Sequence, residues 1–175
     1  MNSNEPWKHE NEIEYRRYTL WFFYACIIYS LIGFSWGVIV GMLPDVREFI
    51  NTRPHGNLIM LGHGHINLLG WVEMAIFGSV YYIIPRLSKR PIYSLKLVKV
   101  HFWTHNFGLL GMVVFFVTAG IMGGMASLEM TPDEVKTIVR PFMILVGMFG
   151  AIVLLANCIW AYNIFRTCAG WKARQ

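Results

Sequence analysis

Gly62-His63-Gly64-His65-Ile66-Asn67-Leu68-Leu69-Gly70-Trp71 sits within an apolar run from Leu58 to Pro85. A bilayer core needs about 20 apolar residues to span it as a helix. The run is long enough, and it contains two imidazoles where a plain anchor would have none. Three further runs of spanning length lie on either side: Leu20 to Leu43, Val98 to Met125 and Pro141 to Phe165. Backbone polar groups inside lipid must be satisfied within their own segment, so each run is expected to be a helix. Pro44, Pro85 and Pro141 stand at the run edges, where a lost N–H does least harm. The expected fold is therefore all-α, an integral membrane four-helix bundle.

Composition agrees. Of 175 residues, 55% are hydrophobic and 14% charged, with a mean hydropathy of +0.45. Soluble domains carry about 25% charged residues. The net charge of +5 would fit a nucleic-acid binder, but the basic residues flank the apolar runs instead of forming a patch, so no nucleic-acid partner is expected. Cys26, Cys158 and Cys168 form no CxxC and lie in or beside apolar runs, which argues against a zinc ribbon and against a disulfide framework. The first 18 residues lack an apolar signal core, so the first span is expected to stay as an anchor.

Charge in the connections sets an orientation. Arg86, Lys89, Arg90, Lys96 and Lys99 join spans two and three with no acid among them; Arg166, Lys172 and Arg174 follow span four. The other two connections mix signs: Asp45, Arg47, Glu48 and Arg53 in one, Glu129, Asp133, Glu134, Lys136 and Arg140 in the other. The positive-inside rule then puts the middle connection and both termini in the cytoplasm, and His63 and His65 in the outer third of span two. Residues 1–18 read as a cytoplasmic N-terminal arm, 19–167 as the four-helix domain and 168–175 as a cytoplasmic tail.

At about 100° per residue, His63 and His65 point some 200° apart around a regular helix. They cannot chelate one ion from it, but they can serve two different cofactor sites. Gly62, Gly64, Gly70 and Gly78 thin the helix so that a flat macrocycle or a neighbouring backbone can approach. Imidazole is a standard axial ligand of haem iron, and polar groups inside a span are costly enough to be functional by default. His65 and His63 are thus the candidate ligands of a haem iron, with Asn67 beside them. Glu73 reads either as a proton-handling carboxylate or haem-propionate neighbour, or as a neutral acid bonded to another helix. His101 and His105 open span three four residues apart, on one face. Antiparallel pairing sets His105 roughly 20 Å along the axis from His63, at about 1.5 Å per residue. The pair then makes a second site, or lies at the interface and snorkels beside Trp103. The interfacial placement is the expectation.

From Gly62-His63-Gly64-His65 to Tyr81-Tyr82-Ile83-Ile84-Pro85-Arg86, span two resembles the tenth helix of subunit I of the haem-copper oxidase superfamily. It looks most like the cbb3-type oxidases and nitric oxide reductases. His101-Phe102-Trp103 with Gly108 to Gly120 is similar to the eleventh helix, and Ala161 to Thr167 to the end of the twelfth. Span one matches the ninth by position only. The resemblance implies a short version of the C-terminal third of that subunit. It also implies that the first histidine of the His-x-His pair serves the active-site haem and the second the electron-transfer haem. A full subunit I has about three times as many helices, as the resemblance implies, and the missing ones supply the copper or non-haem iron ligands.

The expected function is accordingly electron transfer by a b-type haem protein in a respiratory or nitrogen-oxide pathway, more an oxidoreductase subunit than a complete terminal oxidase. Alternatives are a reductase or gas-binding subunit working with partners, and a cofactor-free structural subunit. Expected partners are the lipid bilayer of a bacterial-type inner membrane, further copies of the chain (a trimer or dimer) or a redox complex, and a quinol or c-type cytochrome as electron donor.

Overall fold

The computed structural model describes residues 6–169, with side-chain surroundings from Ile13 onward. Four helices have the length and composition to cross a membrane: Ile13–Met42, Leu58–Ser88, Leu95–Ala126 and Pro132–Ala169. No strand occurs among the described residues. The chain folds as α1 (Pro6–Met42), α2 (Pro44–Thr52), α3 (Leu58–Ser88), α4 (Leu95–Ala126) and α5 (Pro132–Ala169). The described part of the expected N-terminal arm, 6–18, is helix continuous with α1. Residues 1–5 of that arm and 170–175 of the expected tail lie outside the described residues.

Local chemistry explains the helix ends. Ser94 caps α4, its hydroxyl accepting from the Leu97 amide at 3.3 Å. The α5 helix starts nine residues before the expected Pro141, because Thr131 and Glu134 form a capping box. There the Thr131 amide and hydroxyl both donate to Glu134 Oε2 at 2.8 Å, with Pro132 at the first helical position. The short α2 helix falls in what the sequence reads as a mixed-charge connection. Pro44 starts it, Asp45 complements its first turn and Ile50 is its buried anchor.

The α3 and α4 helices run antiparallel. Ile59 packs at Gly120, His65 at Phe116, Leu69 at His105 and Tyr81 at His101. The α4 and α5 helices approach closely because Gly108 has no side chain: a Cβ there would lie 3.0 Å from the Val153 nitrogen and 3.1 Å from the Phe149 oxygen. All four long helices meet around Phe77. Phe22 of α1, His101 and His105 of α4 and Trp160 of α5 hold their ring centroids 4.4 to 6.2 Å from it. Mixed edge and tilted contacts of this kind add to the packing.

Two polar contacts tie α1 to this core. Tyr29 donates to Asn106 Oδ1 at 2.6 Å in a buried bond. Tyr15 donates its hydroxyl to the carbonyl of Tyr81. That carbonyl needs an outside donor because Pro85, four residues on, has no N–H to give it. The α1 helix thus mends the α3 ladder where proline breaks it.

Candidate functional site

The α3 helix is not regular. Its α segments Leu58–His65 and Glu73–Ser88 are joined by a π-helical segment, Ile66–Val72, that starts one residue after His65. The Glu73 amide reaches back five residues to Leu68. Segments of this type widen the helix, shift the register of all that follows and concentrate at functional sites.

Above this segment the two imidazoles project to different neighbours. The His63 ring lies edge-on to Trp36 of α1 at 5.8 Å, and a Cβ on Gly37 would stand 3.5 Å from it. The His65 ring packs on Phe116 of α4 at 4.9 Å. Both are half-buried, at the perimeter of the bundle. Asn67 Nδ2 donates to the His63 carbonyl at 2.9 Å and lies 3.4 Å from both ring nitrogens. Its side chain occupies the space left by Gly33 of α1.

Below the segment the widened turn presents the Leu69 carbonyl to a side-chain donor, His105 Nε2, at 3.1 Å. Glu73 Oε2 stands 3.7 Å from the same nitrogen, with Asn157 of α5 beside the carboxylate. The Tyr81 hydroxyl pairs with His101 Nδ1 at 3.1 Å. This corrects the expected interfacial placement: His101 and His105 are both 0% exposed. They belong to the buried stripe of α4 that runs Val98, His101, His105, Leu109, Met112, Phe116, Ala119 and Gly123, while Trp103 beside them faces outward. That three- and four-residue spacing was visible in the sequence and marked the two histidines as core. His105 stands level with Leu69 to Glu73, six to ten residues past His63. This is about 9 to 15 Å of rise at 1.5 Å per residue, nearer than the 20 Å expected.

The donor set suits an iron ligand at His65. Its Nδ1 lies 2.7 Å from the Leu61 carbonyl, which can only accept, so the proton is on Nδ1 and the Nε2 lone pair is free. A backbone carbonyl fixing the far nitrogen is the usual support of a metal-bound histidine. The glycines divide by role. Gly62 abuts Trp36, Phe116 and Val117; Gly70 abuts Tyr29; Gly78 abuts Phe22 and Phe23. These three allow neighbouring helices to close. Gly64, between the two histidines, has nothing within 4 Å of where its Cβ would stand, so a flat ligand can come up to the backbone there. Among the described residues no three His, Cys, Asp or Glu side chains converge to hold a metal ion by themselves.

The molecule is thus a membrane-spanning four-helix protein, with a His-x-His pair at its perimeter and a buried histidine pair in its core. The profile of the family described as Cytochrome C and Quinol oxidase polypeptide I matches residues 7–153, and the chain belongs to that family. It is 31% identical over 150 residues to a cytochrome c oxidase subunit 1 homolog of Azorhizobium caulinodans, covering 81% of this chain and 27% of that protein. Identity to a cytochrome c oxidase subunit 1 of Rhodobacter capsulatus is 33% over 152 residues, 82% of this chain and 28% of the relative. A cbb3-type cytochrome c oxidase subunit of Stutzerimonas stutzeri is 24% identical over 158 residues, 85% and 33% respectively. The chain spans about a quarter to a third of the length of these relatives.

Proposed function

We propose that this chain is a b-type haem protein of a bacterial inner membrane that moves electrons in a respiratory or nitrogen-oxide pathway. The single observation that carries the proposal is His65: its far nitrogen is fixed by the Leu61 carbonyl, its near nitrogen is free, and open space lies at Gly64 beside it. Bound haem would supply one-electron chemistry, with its potential set by axial ligands and burial.

His63 and His65 face different neighbours from the rim of the bundle, and the other core histidines are engaged elsewhere. The second axial ligand for iron at His65 is proposed to come from outside this chain, with an intrachain methionine (Met42, Met122, Met125, Met143 or Met148) as the alternative. The proposed source is His63 of an adjacent copy in a dimer or trimer, since closed rings are common among homo-oligomers. Two imidazoles fill both axial positions and favour electron transfer over ligand activation, with quinol or a c-type cytochrome as donor. The basic connection between α3 and α4 and the basic C-terminal residues support placing that side in the cytoplasm.

A second reading rests on the relatives, which are named as oxidase subunits: the chain works within a redox complex, where other parts of the complex supply further ligands and an axial position stays open to a gas. Reduced-minus-oxidised spectra of the purified protein, with and without carbon monoxide, separate the two. Six-coordinate haem unaffected by carbon monoxide supports the bis-histidine electron carrier. A carbon monoxide shift supports the gas-binding subunit. Loss of six-coordination in both His63→Ala and His65→Ala is expected; its retention in both overturns the bridging assignment.

A further inference from the structure

The buried histidine pair is not used by the proposed haem site, and its hydrogen bonding is incomplete in an informative way. His105 Nε2 faces the Leu69 carbonyl, so it carries the proton, and its Nδ1 is left as a bare acceptor. With the Tyr81 hydroxyl donating to His101 Nδ1, the proton of His101 sits on Nε2. Both leftover atoms, His101 Nε2 and His105 Nδ1, are buried and unpartnered, as is Glu73 Oε2. One turn of α4 thus holds an unpaired donor on one ring and an unpaired acceptor on the next, with ring centroids 6.0 Å apart. Buried polar atoms in native proteins are almost always satisfied, commonly by an internal water.

We propose that Glu73, His105, His101 and Tyr81 form a proton-transfer line through the half of the bundle that ends at the α3–α4 connection, with one buried water joining the two imidazoles. Around the line, α1 contributes Phe22, α3 contributes Phe77, and α5 contributes Trp160 and the neutral amides of Asn157 and Asn163. Trp160 Nε1 is a further buried, unpartnered donor beside the line, and none of these groups takes up the proton. In one passage Tyr81 gives its hydroxyl proton to His101 Nδ1 and takes another from the connection side, where Asn163 and Ser94 lie. His101 releases its Nε2 proton to the water, and the water gives one to His105 Nδ1. His105 then releases its Nε2 proton to Glu73 Oε2 across the present 3.7 Å, which a small rotation of the partly exposed carboxylate side chain closes. One proton has moved to the carboxylate, both imidazoles have changed tautomer, and water and tyrosine are restored. Each imidazole returns to its starting tautomer by proton exchange with water, which takes the proton from Nδ1 and returns one to Nε2.

The line shares no residue with the His63 and His65 site, so it can be tested whether or not haem is bound. The full chain, carrying nitrogen-15 histidine, is placed in lipid bilayers and read by water-edited magic-angle-spinning NMR. Polarisation transfer from water to His101 Nε2–H and to the His105 ring is expected in the wild type, a reading that needs no variant. Glu73→Gln removes the acceptor and is expected to slow His105 Nε2–H exchange at least tenfold while leaving the His101 signal wet. Tyr81→Phe is expected to slow exchange at both rings at least tenfold. Two dry imidazoles in the wild type, or His105 exchange unchanged by Glu73→Gln, overturn the proposal.

Discussion

Replacing Tyr15 by Phe tests the claim that α1 mends a proline break in α3. The Tyr81 side chain is fully buried, and the carbonyl of Tyr81, denied an intrahelical donor by Pro85, takes the Tyr15 hydroxyl instead. Removing that donor leaves a buried acceptor unsatisfied, at a cost of about 1–3 kcal/mol. If the proline is the cause, the cost depends on it. In a Pro85→Ala background the amide restored at that position can bond the Tyr81 oxygen. Tyr15→Phe then costs about 0.5 kcal/mol or less, since only a second bond to an already satisfied oxygen is lost. The double-mutant cycle over wild type, Tyr15→Phe, Pro85→Ala and the double variant is therefore expected to show a coupling on the order of 1–2 kcal/mol. Unfolding in mixed micelles, followed by far-ultraviolet circular dichroism, supplies the four stabilities. Equal costs for Tyr15→Phe in both backgrounds refute the reasoning.

Other substitutions probe the remaining features. Gly108→Ala puts a Cβ against the α5 backbone and is expected to cost about 1–3 kcal/mol, as overpacking does; Gly147→Ala meets nothing within 4 Å and is expected to be neutral or to stabilise by at most about 1 kcal/mol, both read from the same unfolding curves. Tyr29→Phe strips the buried bond to Asn106 Oδ1 and is expected to lower stability by about 1–3 kcal/mol, less than the cost of Tyr29→Ala, which also empties the space beside Gly70. Gly64→Leu fills the open space between the histidines, so haem content is expected to fall while the unfolding midpoint of the haem-free protein stays unchanged. A haem content equal to wild type in Gly64→Leu would remove Gly64 from the site.

Much of the fold was legible because lipid leaves the chain few choices. Four apolar runs gave the four spans within a few residues, except at the start of α1, where the polar arm continues the helix back to Pro6, and at Pro132, where a polar capping box extends α5 beyond its apolar part. The α2 helix was signalled only by Pro44-Asp45 and is too short for periodicity to reveal. The π-helical segment has no local sequence signal: Ile66 to Val72 would suit a regular helix, and the wider turn becomes apparent only once Leu69 finds its donor on α4. For that reason the angle of Glu73 relative to His65, about 80° on a regular helix, did not foretell its place beside His105. The opposed directions of His63 and His65 were readable, because their two-residue spacing lies in the α segment above that irregularity. His101 and His105 were placed at the interface from their position near the helix start, although the spacing of the α4 buried stripe carried the stronger information.

A pyridine haemochrome assay on the detergent-purified protein tests the central claim most directly, since it reports haem type and haem per chain together. Haem b is expected in the wild type, with the amount sharply reduced in His65→Ala at unchanged helical content. A wild-type protein that stays colourless when haem is supplied in excess would contradict the account.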